Sequence, residues 1–251
     1  MSAGASPRVR LRSKMILPAI VLLVGFAGAA VVGYTTESRR NMEARVEAEL
    51  EHDRALFERT VTEQLERLAL HSRFLADMVD LSNTFPEPRQ SQSILIYLLD
   101  YLGEQGIETH LIATATDGDA RFRAMVRQAM LGVRATAVLV DRETVPPRVE
   151  LAGVAPVERI AGTDEVVVSE LLLDTRFLTT LRPKLASDVT LVVDGAAVAS
   201  SHLDPTCADA VVGALAAEPT AAALTVDCAG RPYRVLVQAL DPGGKGGAVY
   251  A

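Results

Sequence analysis

Between Met15 and Tyr34 the chain reads MILPAIVLLVGFAGAAVVGY, about 20 consecutive residues without a charge, which is the length a helix needs to cross a bilayer. This run divides everything else into two sides. Arg8, Arg10, Arg12 and Lys14 stand immediately before it, whereas acids and bases are mixed after it. The positive-inside tendency therefore places residues 1–14 in the cytoplasm as a basic tail and residues 35–251 beyond the inner (cytoplasmic) membrane. One charge at the centre of the run would cost roughly 2.5 to 3.5 kcal/mol, against a few tenths gained per Leu, Ile or Val, and none is present. Ala27-Gly28-Ala29 offers the small-x-small pattern of a cleavable secretory signal. Val31 and Val32 prolong the apolar run past that point, which favours a retained transmembrane helix over residues 15–34. Either outcome exports the bulk of the chain.

The net charge is −7, and with a basic tail the exported part is more acidic still. A nucleic-acid surface needs the opposite sign and basic residues interleaved with aromatics, so nucleic acid is set aside as a partner. Aromatics make up only 4% and Trp is absent, which leaves Val, Leu, Ala and Ile to build the core. The two cysteines, Cys207 and Cys228, fall in an oxidising compartment where a disulfide can persist. A bridge would close a loop of about 20 residues and add about 3 kcal/mol in the chain-entropy model. Two separately buried thiols fit the sequence equally well, since spacing does not supply a Cα separation. Neither cysteine has a CxxC partner or a His pair beside it, so no metal site is expected.

From Thr36 to about Leu81 there is neither Pro nor Gly, and Glu, Arg, Ala and Leu abound. Met42, Val46, Leu50, Phe57, Val61, Leu65, Leu68, Leu75 and Val79 recur mostly three, four or seven apart, one stripe along a membrane-proximal helix over residues 35–81. Such a helix reaches roughly 65 Å, more than one small domain spans. Its first half, charged and narrowly striped, wants a partner, which predicts a homodimeric coiled coil. In its second half the stripe widens to include Phe74 and Met78 and is expected to pack on the domain that follows.

The prolines of Ser82–Arg89 break the helix. A second apolar helix, Ser91–Gly103, carries Tyr97 and Tyr101 one turn apart on the same side. Thereafter the period changes to two. Thr109–Thr116 reads as a strand, Asp117-Gly118-Asp119 as a turn, and a short amphipathic helix follows with Phe122, Met125, Val126 and Ala129 on one face. Further strands are expected at Thr136–Val140, Arg148–Val157 and Glu165–Leu173, the last two an antiparallel pair joined by a polar turn through Gly162. Asp174 is placed to cap a helix from Thr175 that ends near Pro183. Asp188–Val193 and Ala196–Ser200 flank Asp194-Gly195, the strongest hairpin signal in the chain. A small helix, Ala208–Ala217, leads to strands Leu224–Cys228 and Tyr233–Leu240 around Ala229-Gly230, then a Gly-rich loop, Asp241–Gly247, and a final strand. This order implies an α+β domain over residues 82–251, in which helices pack on a mainly antiparallel sheet of five to six strands.

The anchor and long helix, followed by GVAPVERIAGTDEVVVSELLLDTRFLTTL (Gly153–Leu181) and DVTLVVDGAAVASS (Asp188–Ser201), resemble the extracytoplasmic Cache-type sensor region of bacterial transmembrane receptors. That PAS-like fold occurs in histidine kinases, diguanylate cyclases and chemoreceptors, and the resemblance covers most of Thr36–Ala251. It rests on an order of elements and not on catalytic residues. In that family the chain continues into a second membrane helix and a cytoplasmic output module, so the sequence in hand is expected to be the N-terminal part of a longer receptor.

Searching the residues for chemistry gives no catalytic constellation. His52, His71, His110 and His202 form no HExxH or other pair at ligand spacing, no GxSxG occurs, and the Gly-rich loop lacks a phosphate-binding context. No cofactor is implied. The resemblance instead implies a pocket on the sheet that holds a small molecule, commonly a carboxylate gripped by Arg, Tyr and backbone donors. Tyr97, Tyr101, His110, Arg121 and Arg123 are the positions that match that region. A membrane-tethered scaffold without a ligand is the alternative.

Overall fold

The computed structural model of the protein describes residues 7–84, 88–112, 121–133, 135–157, 165–202, 204–240 and 249–250. Residues 1–49 and 50–251 form two compact units. The first helix, α1 (Pro7–Thr84), contributes to both. In the first unit every residue from Val21 to Glu49 is exposed, and the apolar part of α1 near its N-terminus is long enough to cross a membrane. A helix apolar on all sides belongs in lipid or a protein interior. Where the apolar run ends, Thr35 and Thr36 each donate a side-chain hydroxyl to the Val32 carbonyl, at 3.0 and 2.7 Å, so both hydroxyls are satisfied within the helix. Arg39 and Glu43 then pair at i,i+4 on the solvent-tolerant part.

In the second unit α1 packs on a four-stranded antiparallel sheet made of β1 (Ile107–Ile112), β2 (Ala135–Asp141), β3 (Arg148–Pro156) and β4 (Val166–Leu172). Their order is β1-β4-β3-β2. The adjoining strands β3 and β4 are buried on both faces and read as nearly unbroken apolar runs. Alternation sorts their residues. Val149, Leu151, Ala155, Val167 and Leu171 turn to α1, where Phe57, Val61, Leu68 and Leu75 complete one core. Ala152, Val154, Val166 and Val168 turn the other way, onto Phe122, Met125, Val126 and Ala129 of and beside the short helix α3 (Arg123–Met130). Helix α2 (Pro88–Glu104) leads into β1 and lends Leu102 to the α1 side.

Gly153 fixes how closely α1 sits. A Cβ there would meet Ala69 N and Leu68 C at 2.6 Å, inside any permitted contact, so the helix backbone lies directly on β3. Ser72 seals the junction by donating its hydroxyl to the Gly153 carbonyl at 2.7 Å. About five turns from Ser72 towards the N-terminus of the unit, buried Asp53 accepts from the Ser187 N–H at 2.8 Å and its hydroxyl at 2.6 Å, tying α1 to the segment after α4 (Thr175–Leu181).

The remaining strands form a second four-stranded antiparallel sheet and a separate hairpin. β5 (Thr190–Val193), β6 (Ala196–Ser200), β9 (Ala239–Leu240) and β10 (Val249–Tyr250) run in the order β6-β5-β10-β9. Among the described residues, β7 (Ala223–Cys228) and β8 (Arg231–Leu236) pair only with each other. The strands expected in one sheet are thus divided among three. Asp194 and Gly195 hold φ at 49° and 78°, and Ala229 and Gly230 at 53° and 76°, the paired positive values of type I′ hairpin turns. Asp174 caps α4 by accepting from Phe177 N at 2.8 Å. Leu215 of helix α5 (Pro205–Ala217) clusters with Val192 of β5 and Leu224 and Val226 of β7. Cys207 in α5 and Cys228 at the end of β7 are disulfide-bonded, with Cα atoms 5.1 Å apart.

Two expectations need correcting or bounding. Phe74 does not join the buried stripe of α1: it is 50% exposed, and Leu75 and Ala76 take the inward positions. Residues 113–116 of the expected first strand, the Asp117-Gly118-Asp119 turn, the polar turn through Gly162 and the Gly-rich loop lie outside the described residues.

Candidate functional site

The face of the first sheet turned away from α1 is apolar under α3 and charged towards β1 and the far ends of β2 and β3. Register places the charges. Glu108 and His110 on β1, Glu170 on β4, Glu150 and Arg148 on β3 and Asp141 on β2 all share the parity of the α3-facing residues Ile112, Val168, Ala152 and Ala135. Glu150, Glu170 and Asp141 are buried. Carboxylates at that depth are tolerated only when paired or protonated.

The pairing is supplied by Arg121, just before α3. Its guanidinium bonds the Glu150 carboxylate and stands 3.5 Å from Asp141 Oδ2. The same guanidinium lies over the Phe122 ring, 5.2 Å from its centroid. Burial nevertheless outweighs the arginine: the Glu150 carboxyl is raised from 4.5 to about 7, with Glu170 and Asp141 adding to the rise and Arg121 opposing it. His110 Nε2 and Glu170 Oε1 are 2.6 Å apart, and the His110 ring sits 6.4 Å from that of Phe122. A second buried carboxylate is thus held by an imidazole at the sheet edge.

On the opposite, α1-facing side, the hydroxyls of Thr109 and Ser169 and the Nδ1 atom of His71 are buried without a hydrogen-bond partner among the described residues. Thr109 and Ser169 are directly paired across β1 and β4, in the same row as Gly153. Burial and the Arg67 charge push the His71 imidazole below its ordinary value. A neutral histidine suits that position beside the helix–sheet junction.

Of the residues singled out from sequence, the structure brings His110 and Arg121 to this one face. Arg123 is exposed at the start of α3, with its side chain outside the buried cluster. Tyr97 and Tyr101 share one side of α2 as expected, but it is the outer side, 71% and 51% exposed; Leu95, Leu98 and Leu102 take the inner one. Glu108, Asp141, Glu150 and Glu170 were not anticipated. Their signal was present as single carboxylates inside apolar strands, Glu150 in RVELAGVAP and Glu170 in VVVSELL, where a charge has no business unless something answers it.

No family model matches the chain, and no curated protein matches it. Solved structures do. The periplasmic domain of Vibrio cholerae LuxQ is similar at a TM-score of 0.50 and 12% identity, over 80% of this chain and 97% of that one. The extracellular domain of a candidate histidine kinase, vpHK1S-Z8, is similar at 0.50 and 12% identity, over 79% and 90%. The ligand-binding domain of the Campylobacter jejuni chemoreceptor Tlp3, in complex with L-norvaline, is similar at 0.49 and 13% identity, over 78% and 86%. At such identities the likeness is one of fold. The chain has the fold of periplasmic and extracellular sensor domains, as the Cache-type resemblance implied.

Proposed function

We propose that the chain is the extracytoplasmic ligand-sensing part of a membrane-anchored receptor, that it binds a polar small molecule on the charged face of the first sheet, and that occupancy is relayed through α1 and the membrane-spanning run. The observation that carries this reading is the arrangement of the two faces of one sheet. Ionisable groups, three of them buried carboxylates, gather on one side, while α1 is seated backbone to backbone on the other at Gly153. A structural core has no use for Glu150 and Glu170 at that depth; a recognition site does. The fold shared with periplasmic sensor domains supports the same conclusion.

The chemistry favours exchange at Arg121. A carboxylate ligand takes the guanidinium bidentately while Glu150, whose carboxyl titrates near neutrality, accepts a proton and yields its place. Occupancy shifts the position of α1 only if the ligand binds two arrangements unequally, and the Gly153 contact lets a small displacement of β3 reach the helix. Met42 and Val46, one turn apart and exposed on the first unit, supply a seam for a homodimer.

Thermal unfolding of the full chain in detergent, scanned against small organic acids, amino acids and amines, tests the reading. At least one compound is expected to raise the melting temperature with a saturable dose dependence that Arg121→Gln weakens. A panel without effect, on protein that unfolds cooperatively, leaves the tethered scaffold as the better account.

A further inference from the structure

The β1–β4 end of the charged face carries an arrangement that exchange at Arg121 does not use. Glu108 and His110 are two residues apart on β1, hence on one side of the strand, and Glu108 is registered directly opposite Glu170 on β4. The imidazole nitrogen and one carboxylate oxygen from each glutamate all lie within 4.8 Å of one another. Tetrahedral coordination with metal–ligand distances of about 2.0 to 2.2 Å sets neighbouring donors about 3.4 Å apart. The 2.6 Å contact between His110 and Glu170 then opens slightly, and the wider gap to Glu108 closes. Both adjustments fall on side chains with room to move, since Glu108 is exposed and His110 half-exposed.

Glu170 is the anchored member. It is 7% exposed, yet its Oε2 atom is buried without a hydrogen-bond partner among the described residues. A buried carboxylate oxygen facing no donor is what a cation corrects. The surroundings have the matching sign: Asp141 and Glu150 share Arg121, so among the described residues four carboxylates on this face stand against Arg121 and Arg148. The other donor cluster, His202 with Cys207 and Cys228, is closed by the disulfide.

We infer that Glu108, His110 and Glu170 form a site for a divalent transition metal of the zinc class, open to solvent at the β1 edge. An imidazole among the donors selects such ions over magnesium, which prefers oxygen alone. Three protein ligands leave a fourth position for water or an anionic ligand. A metal there ties the edge strand to β4 across the row of Glu108, Glu170 and Ala152. The inference goes beyond the ligand reading and does not rest on it.

Equilibrium dialysis of the metal-free full chain in detergent against Zn²⁺ under non-reducing conditions, with metal content read by mass spectrometry, tests the site. One Zn²⁺ per chain is expected, with Mg²⁺ in tenfold excess displacing none of it. His110→Ala and Glu108→Gln, both on accessible side chains, are expected to weaken binding at least tenfold, while His202→Ala leaves it unchanged. Matching melting temperatures of the metal-free variants certify their fold. Absence of stoichiometric Zn²⁺, equal affinity in wild type and both variants, or loss of binding in His202→Ala overturns the site. A thermal response to an organic ligand in protein that takes up no Zn²⁺ overturns the metal site while sustaining the receptor.

Discussion

Substituting Gly153 by Ala should loosen the seat of α1. The added Cβ would stand 2.6 Å from Ala69 N and Leu68 C and 2.9 Å from Leu68 O, where 3.4 to 4 Å is ordinary contact. The obstacle is helix backbone, which has no rotamer to change. The helix must therefore retreat by roughly 1 Å, and the 2.7 Å bond from Ser72 to the Gly153 carbonyl stretches with it. Overpacking costs about 1 to 3 kcal/mol, and leaving the buried Ser72 and carbonyl poorly paired adds about 1 to 2 kcal/mol. For a unit of this size each kcal/mol lowers Tm by about 2 to 4 °C. Thermal unfolding of the full chain in detergent should thus show Gly153→Ala melting about 4 to 20 °C below wild type, with Ser72→Ala accounting for the smaller part. A Gly153→Ala protein that melts within 1 °C of wild type would refute the close contact, and with it the route proposed from sheet to helix.

Three further outcomes follow from the geometry. The Glu150 carboxyl is raised in the folded state, so between its ordinary 4.5 and about 7 the folded chain binds more protons than the unfolded one. Its contribution to stability is complete below pH 4.5 and is lost as pH rises through about 7. Glu150→Gln should therefore match wild type near pH 5 and exceed it near pH 8.5 in denaturant titrations; parallel pH profiles would count against the buried, strained carboxylate. Asp53→Ala strips the Ser187 N–H and hydroxyl of their acceptor and should lower stability by about 2 to 3 kcal/mol, with Ser187→Ala costing less; equal losses would mean the backbone bond is not what matters. Cys207→Ser should remove about 3 kcal/mol by opening the 21-residue separation to Cys228, and leave one titratable thiol in the unfolded chain where wild type shows none without reductant.

Much of the secondary structure was legible because local chemistry dictates it. Asp194-Gly195 accepts positive φ at little cost, Gly230 does so in the second hairpin turn, Asp174 offers a capping oxygen, and the change from helical to twofold periodicity after Gly106 marks where strands begin. The partition into two four-stranded sheets and a hairpin was not, since alternation says which face a residue takes and nothing about which strand lies beside it. β10 shows this plainly: Val249 and Tyr250 pair with β9, the strand before them, but also with β5, which is distant in sequence. Phe74 misled because a helix stripe can be continued through either of two adjacent apolar positions, and only contact with β3 chooses Leu75 and Ala76. The site suffered most. His110 and Arg121 were visible as polar residues near a strand, but their carboxylate partners come from β2, β3 and β4, and only register assembles them. Tyr97 and Tyr101 drew notice as an aromatic pair, while the aliphatic residues of α2 took the buried side.

Exposure of the second unit on the outer side of the membrane decides the central claim. In intact spheroplasts of an expressing bacterium, added protease should remove residues beyond the apolar run and leave a small membrane-bound remnant carrying the basic tail. A chain that stays whole in spheroplasts, yet is cut once the membrane is broken, has its sheet in the cytoplasm and is no extracytoplasmic sensor.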